Sequence, residues 1–159
     1  MKLVTRMQLG WPASAAPAQA KTKGVKVHYE GTEVSTRLLT DHAECLAEWK
    51  AIRKSHLANI RENSSDIAYN YGACPHGYLL EGRGIGKRTG ANGNQPLNVA
   101  HYAIVGLVGS EGLTKPRTRC SPRSGRASSC FDSTEPASRS RVTGTATQPP
   151  ALAARSTPG

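Results

Sequence analysis

Residues 65–84, SDIAYNYGACPHGYLLEGRG, hold the densest chemistry in the chain. Tyr69 and Tyr71 precede Cys74, a Pro-His-Gly turn and a strand-like GYLLEGRG with glycine punctuation. That mixture has the composition of part of an active site. Three histidines precede it, among them His28 and His56. His28 lies in GVKVHYEG (24–31), where Val25, Val27 and Tyr29 alternate against Lys26, His28 and Glu30. Period-two alternation predicts a strand and puts His28 on the opposite face from the valines, toward a cleft or solvent. His56 falls one helical turn after Ile52, on or beside an apolar stripe, where a lone histidine is usually a satisfied core residue. The four cysteines show no C-x-x-C spacing. Cys45 and Cys74 read either as a disulfide, if the chain meets an oxidising compartment, or as two small buried hydrophobes.

The elements that must position these residues follow from periodicity. Thr40 and Asp41 are good N-cap types. Cys45, Leu46, Trp49, Ile52, Arg53, His56 and Ile60 then recur at steps of three and four, predicting an amphipathic helix over 41–58. NSSD (63–66) breaks it. IAYNYGAC and GYLLEGRG predict a hairpin around PHG. GKRTGANGNQPLN (86–98) reads as a glycine- and asparagine-rich surface loop; it carries a Lys but lacks the G-x-x-x-x-G-K-[ST] spacing of a phosphate loop. HYAIVGLVG (101–109) is a nearly continuous apolar run, predicting a central strand, and SEGLTKP (110–116) ends the pattern. WPASAAPAQAKTK (11–23) is a connector. The fold class is α/β, a mixed β-sheet flanked by helices. A sheet of this kind needs cover on both faces, yet the sequence supplies one long helix, so the fold reads as incomplete toward the C-terminus.

Composition divides the chain. The 159 residues carry a formal net charge of +10. Residues 1–116 form one domain. Residues 117–159 have seven arginines, no lysine, and only Phe131, Val142 and Leu152 as large apolar side chains. Such a segment has almost nothing to bury and reads as disordered. An arginine-rich arm can bind nucleic acid, but no aromatics interleave with the arginines here, and no specific nucleic-acid partner is expected. No apolar run approaches a transmembrane span. The start lacks the continuous apolar core of a secretory signal, so the chain reads as cytoplasmic as translated.

Five segments in order, VHYEG, IRKSHL, SDIAYNY, LLEGRG and NVAHYAIVGLVG, resemble the peptidoglycan recognition protein and zinc N-acetylmuramoyl-L-alanine amidase family, which includes amidase-type phage lysozymes. TRMQLGW resembles the segment that precedes the domain there. The resemblance covers residues 4–116. It implies a mixed sheet with three helices and a peptidoglycan (muramyl peptide) partner at the cell wall. It also implies hydrolysis of the muramoyl–alanine amide by Zn2+ held by two His and one Cys or acid. By motif position His28 resembles the first zinc ligand and Tyr69 the catalytic tyrosine. His56 resembles a helix residue that contacts the stem peptide, with Tyr71 and Asn98 on the same substrate groove. The sequence departs from the family at Tyr29 and Glu30, where His-Thr is common, and at the CPHG hairpin.

The family's remaining ligands come late, in a pattern like GHRD…CPG after one more helix, and no histidine follows His101. Plausible codons for residues 117–153, read one base earlier, restore both parts. Residues 118–132 become Asp-Ala-Met-Leu-Ala-Ala-Ile-Arg-Ala-Gly-Ile-Glu-Leu-Leu-Arg, an amphipathic helix. Residues 141–153 become Gly-His-Arg-Asp-Gly-Tyr-Ala-Thr-Ser-Cys-Pro-Gly. The sequence therefore predicts a frameshift near Pro116, a chain without stably bound zinc and without amidase activity, and a monomer or aggregating species with one sheet face uncovered. The alternatives are a non-catalytic peptidoglycan-binding module and, behind it, a basic nucleic-acid-binding protein.

Overall fold

The computed structural model describes residues 1–115. The expected disordered tail and the out-of-frame reading of residues 117–159 lie outside the described residues.

Five strands form one mixed sheet, in the order β1 (Lys2–Val4), β5 (Tyr78–Glu81), β4 (Tyr71–Ala73), β6 (His101–Gly106), β2 (Gly24–Tyr29). Only the β4–β5 hairpin is antiparallel; β1–β5, β4–β6 and β2–β6 run parallel. The hairpin closes through Cys74–Gly77, with Gly77 at φ 78, a left-handed position that glycine fills without a Cβ clash. A two-residue ladder joins β3 (Glu33–Val34) to β7 (Glu111–Gly112), inside the segment expected only to end the pattern. The opening segment also does more than precede the domain, because β1 forms a sheet edge.

The single long helix among the described residues, α1 (His42–Ala58), matches the periodicity. Asp41 is its N-cap and accepts the Ala43 N–H at 2.8 Å. Thr40 instead ends a short 3-10 turn, Thr36–Leu39. Ile60 lies beyond the helix and is exposed, so the apolar stripe stops earlier than its spacing suggests. A six-residue helix, α2 (Gln95–Ala100), occupies the end of the expected 86–98 loop, capped by Asn94 and opened by Pro96. Pro near a helix start loses nothing, because its missing N–H would have no partner there.

The core lies between α1 and one sheet face. Val34, Leu38, Cys45, Trp49, Ile67, Leu80, Val105 and Leu107 are buried there. Trp49 is fully buried over Gly72, where a Cβ would stand 2.8 Å from the indole ring. An aromatic side chain burying about 150–250 Å² contributes on the order of 4–6 kcal/mol, so Gly72 is what lets α1 settle on the sheet. Asp66 anchors the flank: Arg53 Nε donates to it at 2.8 Å, the Ile67 N–H at 2.9 Å, and Arg6 pairs with it at 3.0 Å.

The opposite face has no helix over it among the described residues. Val25, Val27 and Tyr29 are exposed, so β2 alternates as expected but shows its valines to solvent and turns His28 inward. On β6, Ala103 and Val105 are buried while Tyr102 and Ile104 face the other way. An apolar groove of about 430 Å³ runs along that face, lined by Leu3, Val25, Tyr71, Leu79, Tyr102 and Ile104.

Candidate functional site

The larger groove holds little chemistry beyond two phenols and the Lys2 amine. The titratable groups gather on the other side, at the ends of β2 and α1. His28 reaches inward from β2, His56 from the last turn of α1, and Tyr69 stands between them just before β4. Each histidine ring lies 5.7 Å from the Tyr69 ring, centroid to centroid.

Backbone-directed hydrogen bonds hold this arrangement. The Ala68 N–H donates to His56 Nδ1 at 3.1 Å, which leaves the proton of the neutral ring on Nε2. Burial lowers the His56 pKa, against the opposing charge of Glu62, so the ring is neutral near pH 7. His56 is thus both a satisfied partner of the backbone and a wall of the site. Asn70 fixes the neighbouring loops, donating to Gly84 O at 2.9 Å and Lys87 O at 2.7 Å and accepting the Ala103 N–H at 2.9 Å. The Arg83 guanidinium is buried and donates to Ile67 O at 2.6 Å and Arg88 O at 2.7 Å, tying the segment after β5 to the loop that carries Tyr69.

His28 Nε2 lies 2.9 Å from Asn92 Oδ1. A carbonyl oxygen only accepts, so His28 donates from Nε2. Asn92 is held for this role: its N–H donates to Asn98 Oδ1 at 2.8 Å, and its side-chain amide donates to Leu97 O and His101 O, each at 3.3 Å. Asn98 is buried inside α2 and supports Asn92. Tyr71 is the residue the structure separates from the set; it lines the apolar groove on the opposite sheet face.

A cleft of about 310 Å³ opens beside His56 and Tyr69, between the end of β2 and α1. Two carboxyls line it, Glu30 and Glu48. Burial, with the charge and hydrogen bond of Glu48, pushes the Glu30 carboxyl up to about 8. Glu30 Oε1 is buried and has no hydrogen-bond partner. Burial and the Glu30 and Glu62 charges raise the Tyr69 phenol, which stays protonated. The cleft therefore offers a protonated acid, a phenol and a neutral imidazole, all able to donate hydrogen bonds to an amide or carboxylate. Sequence reasoning missed Glu48 and Asn92. Glu48, Ile52, Ser55 and His56 follow helical spacing along one face of α1, and that pattern could have found Glu48.

Zinc does not fit at His28 with the described residues. Among them, no group of three His, Cys, Asp or Glu donors includes His28, and its Nε2 is already committed to Asn92. The one such group is elsewhere: His42, Cys45 and Cys74, whose donor atoms all lie within 4.8 Å of one another. Both cysteines are free and buried.

Solved structures identify the fold as that of the peptidoglycan recognition proteins. Peptidoglycan recognition protein 1 of Manduca sexta superposes with a TM-score of 0.59 at 17% identity, over 74% of this chain and 63% of that one. The ectodomain of the Drosophila transmembrane receptor PGRP-LCa gives 0.57 at 18% identity, over 67% and 62%. The ectodomain complex of PGRP-LCa and PGRP-LCx with bound tracheal cytotoxin gives 0.57 at 21% identity, over 74% and 67%. The chain spans about three fifths to two thirds of the length of these structures. No protein-family model matches the sequence. No characterised protein matches it in sequence. Among the described residues, no helix is long and apolar enough to cross a membrane.

Proposed function

We propose that this chain derives from an N-acetylmuramoyl-L-alanine amidase and that its described residues keep the muramyl-peptide groove without the hydrolytic centre. The observation that carries this reading is the convergence of His28, His56 and Tyr69 on one side of the sheet, next to a cleft of donors suited to amides and carboxylates. The tracheal cytotoxin complex of a protein with the same fold supports a peptidoglycan fragment as ligand. Among the described residues no group of three donors includes His28, which supports binding without cleavage. A frameshift near Pro116 accounts for the arginine- and serine-rich composition of residues 117–159 and for the late ligand pattern recovered one base away.

Titration with a soluble muramyl peptide tests the groove. Binding should saturate, weaken about tenfold or more in Tyr69→Ala through loss of stacking and a hydrogen bond, and leave the peptide uncut. Equal binding by Tyr69→Ala would place the ligand elsewhere. Restoring the earlier frame by one base near the Pro116 codon should yield a protein that releases stem peptides, and a chelator or His28→Ala should abolish release. A repaired protein that binds murein but never cleaves it would leave only the binding-module ancestry.

A further inference from the structure

Far from the cleft, α1 and the β4–β5 hairpin bring four soft or borderline donors together. His42 is the first residue of α1 and Cys45 lies one turn on. Cys74 follows β4, and His76 sits two residues later in the turn. The pattern is H-x-x-C on the helix and C-x-H on the hairpin, two short-range pairs that become one cluster only in the fold.

The geometry points to a structural site for zinc, or a similar thiophilic divalent cation, held by His42, Cys45 and Cys74. Tetrahedral zinc with Zn–S of about 2.3 Å and Zn–N of about 2.0–2.1 Å sets an N···S edge of about 3.5 Å. His42 Nδ1 stands 3.5 Å from Cys74 Sγ. All three donor atoms lie within 4.8 Å of one another, so a shift of at most about 1 Å, mainly of Cys45, brings the set to tetrahedral edges. The His42 ring is already oriented: it stacks on Tyr78 with centroids 4.1 Å apart and planes 23° apart.

The fourth position has a candidate. The His76 ring packs edge-on to His42 at 5.7 Å, and its Nε2 is buried without a hydrogen-bond partner. A buried, unpartnered ring nitrogen is costly, and turning it toward the cluster would remove that cost. Charge also suits the burial. Two thiolates neutralise a dication, and two neutral imidazoles complete four-coordination, so a closed site carries no net charge into the core. Neither cysteine is exposed, and a closed, buried Cys/His set is the structural rather than the catalytic kind. Its role would be to pin the start of α1 to the hairpin, with metal affinity counting directly as folding stability.

This site is independent of the groove proposed above, and the test keeps them apart. The full chain is purified under reductant, stripped, and titrated with zinc and then with cobalt. One zinc per chain should bind, and cobalt should give a thiolate-to-cobalt charge-transfer band. Outer-sphere changes alone cost about 10–100-fold in affinity, so Cys74→Ser and His42→Ala should each weaken zinc by more than about a hundredfold. His28→Ala should leave zinc affinity unchanged. The cobalt band is read on the unaltered chain, so it does not depend on whether a variant folds. No zinc uptake by the reduced chain, uptake without the charge-transfer band, or uptake lost in His28→Ala but kept in Cys74→Ser would overturn the assignment. So would a Cys45–Cys74 disulfide that forms in air despite saturating zinc.

Discussion

Glu30→Gln should reverse a pH penalty that the cleft imposes on the fold. The Glu30 carboxyl is raised from an ordinary 4.5 to about 8, first by burial and then by Glu48. A group raised in the folded state stabilises it fully below the unfolded value, and this stability is lost as pH rises through the folded value. The contribution is therefore complete below about pH 4.5 and gone above about pH 8. A shift of this size sets a ceiling of about 5 kcal/mol at about 1.36 kcal/mol per unit. Water reaches the cleft mouth and screens the group, so about 2 kcal/mol is the expected swing. Gln imitates the protonated acid and removes the titration. Urea unfolding followed by tryptophan fluorescence, at about pH 5 and about pH 9, reads both proteins. The variant should match the parent at the lower pH and exceed it by about 2 kcal/mol at the higher. Subtracting the two profiles removes His56 and Asp66, whose lowered values tilt stability the opposite way. Parallel profiles, or a variant less stable at about pH 9, would refute a buried protonated Glu30.

Two further outcomes follow from the packing. Burial pushes the Asp66 carboxyl up, but hydrogen bonds from Arg53, Ser14 and the Ile67 N–H and the Arg6 charge outweigh it and hold it low. Asp66→Ala should cost about 3–5 kcal/mol in urea unfolding, because it leaves two guanidiniums facing a site without a counter-charge. A loss under about 1 kcal/mol would mean that water already screens the pair. The exposed sheet face should bind a fluorescent apolar dye and drive association that sedimentation detects; Val27→Lys combined with Val25→Thr should reduce both, and unchanged association would put the sticky surface elsewhere.

Much of the scaffold was legible in the sequence because period and punctuation are local. The 3.6-residue stripe gave α1 to within a residue at its start, and the Pro-His-Gly turn placed the β4–β5 hairpin. The direction of β2 was not legible. Val25 and Val27 look like core residues, but β2 is an edge strand whose valine-bearing face has no helix over it among the described residues, and the inward side is chosen by His28 meeting Asn92 and Tyr69. No local pattern encodes that choice. The α2 helix hid in a loop-like composition, since Asn94 and Pro96 serve equally as turn residues and as a cap and first-turn pair. The site was half legible. His28, His56 and Tyr69 came from motif order and do converge. Glu30 stood out only as a departure from the family pattern, and its raised carboxyl depends on Glu48, which α1 brings alongside. The His42, Cys45, Cys74 cluster escaped because its two pairs are separated by a helix and a hairpin, and spacing rules search for one continuous pattern.

The parallel pairing of β2 with β6 has a consequence for synthesis. β2 hydrogen-bonds to β6 and to no other strand of the sheet, with Gly24 opposite His101 and Tyr29 opposite Gly106. A nascent chain makes β2 early and its partner late. At about 5–20 residues per second, the stretch from Gly24 to His101 takes roughly 4–15 s to translate. Throughout that interval a valine-bearing strand has an unsatisfied backbone edge, a template for pairing with another chain. α1 and the β4–β5 hairpin close over short loops and can form meanwhile, but neither shields β2. Yield of native protein should therefore depend on how fast ribosomes cross residues 30–106, and slow codons in that stretch should send more of the chain into aggregates than the same codons placed before Gly24.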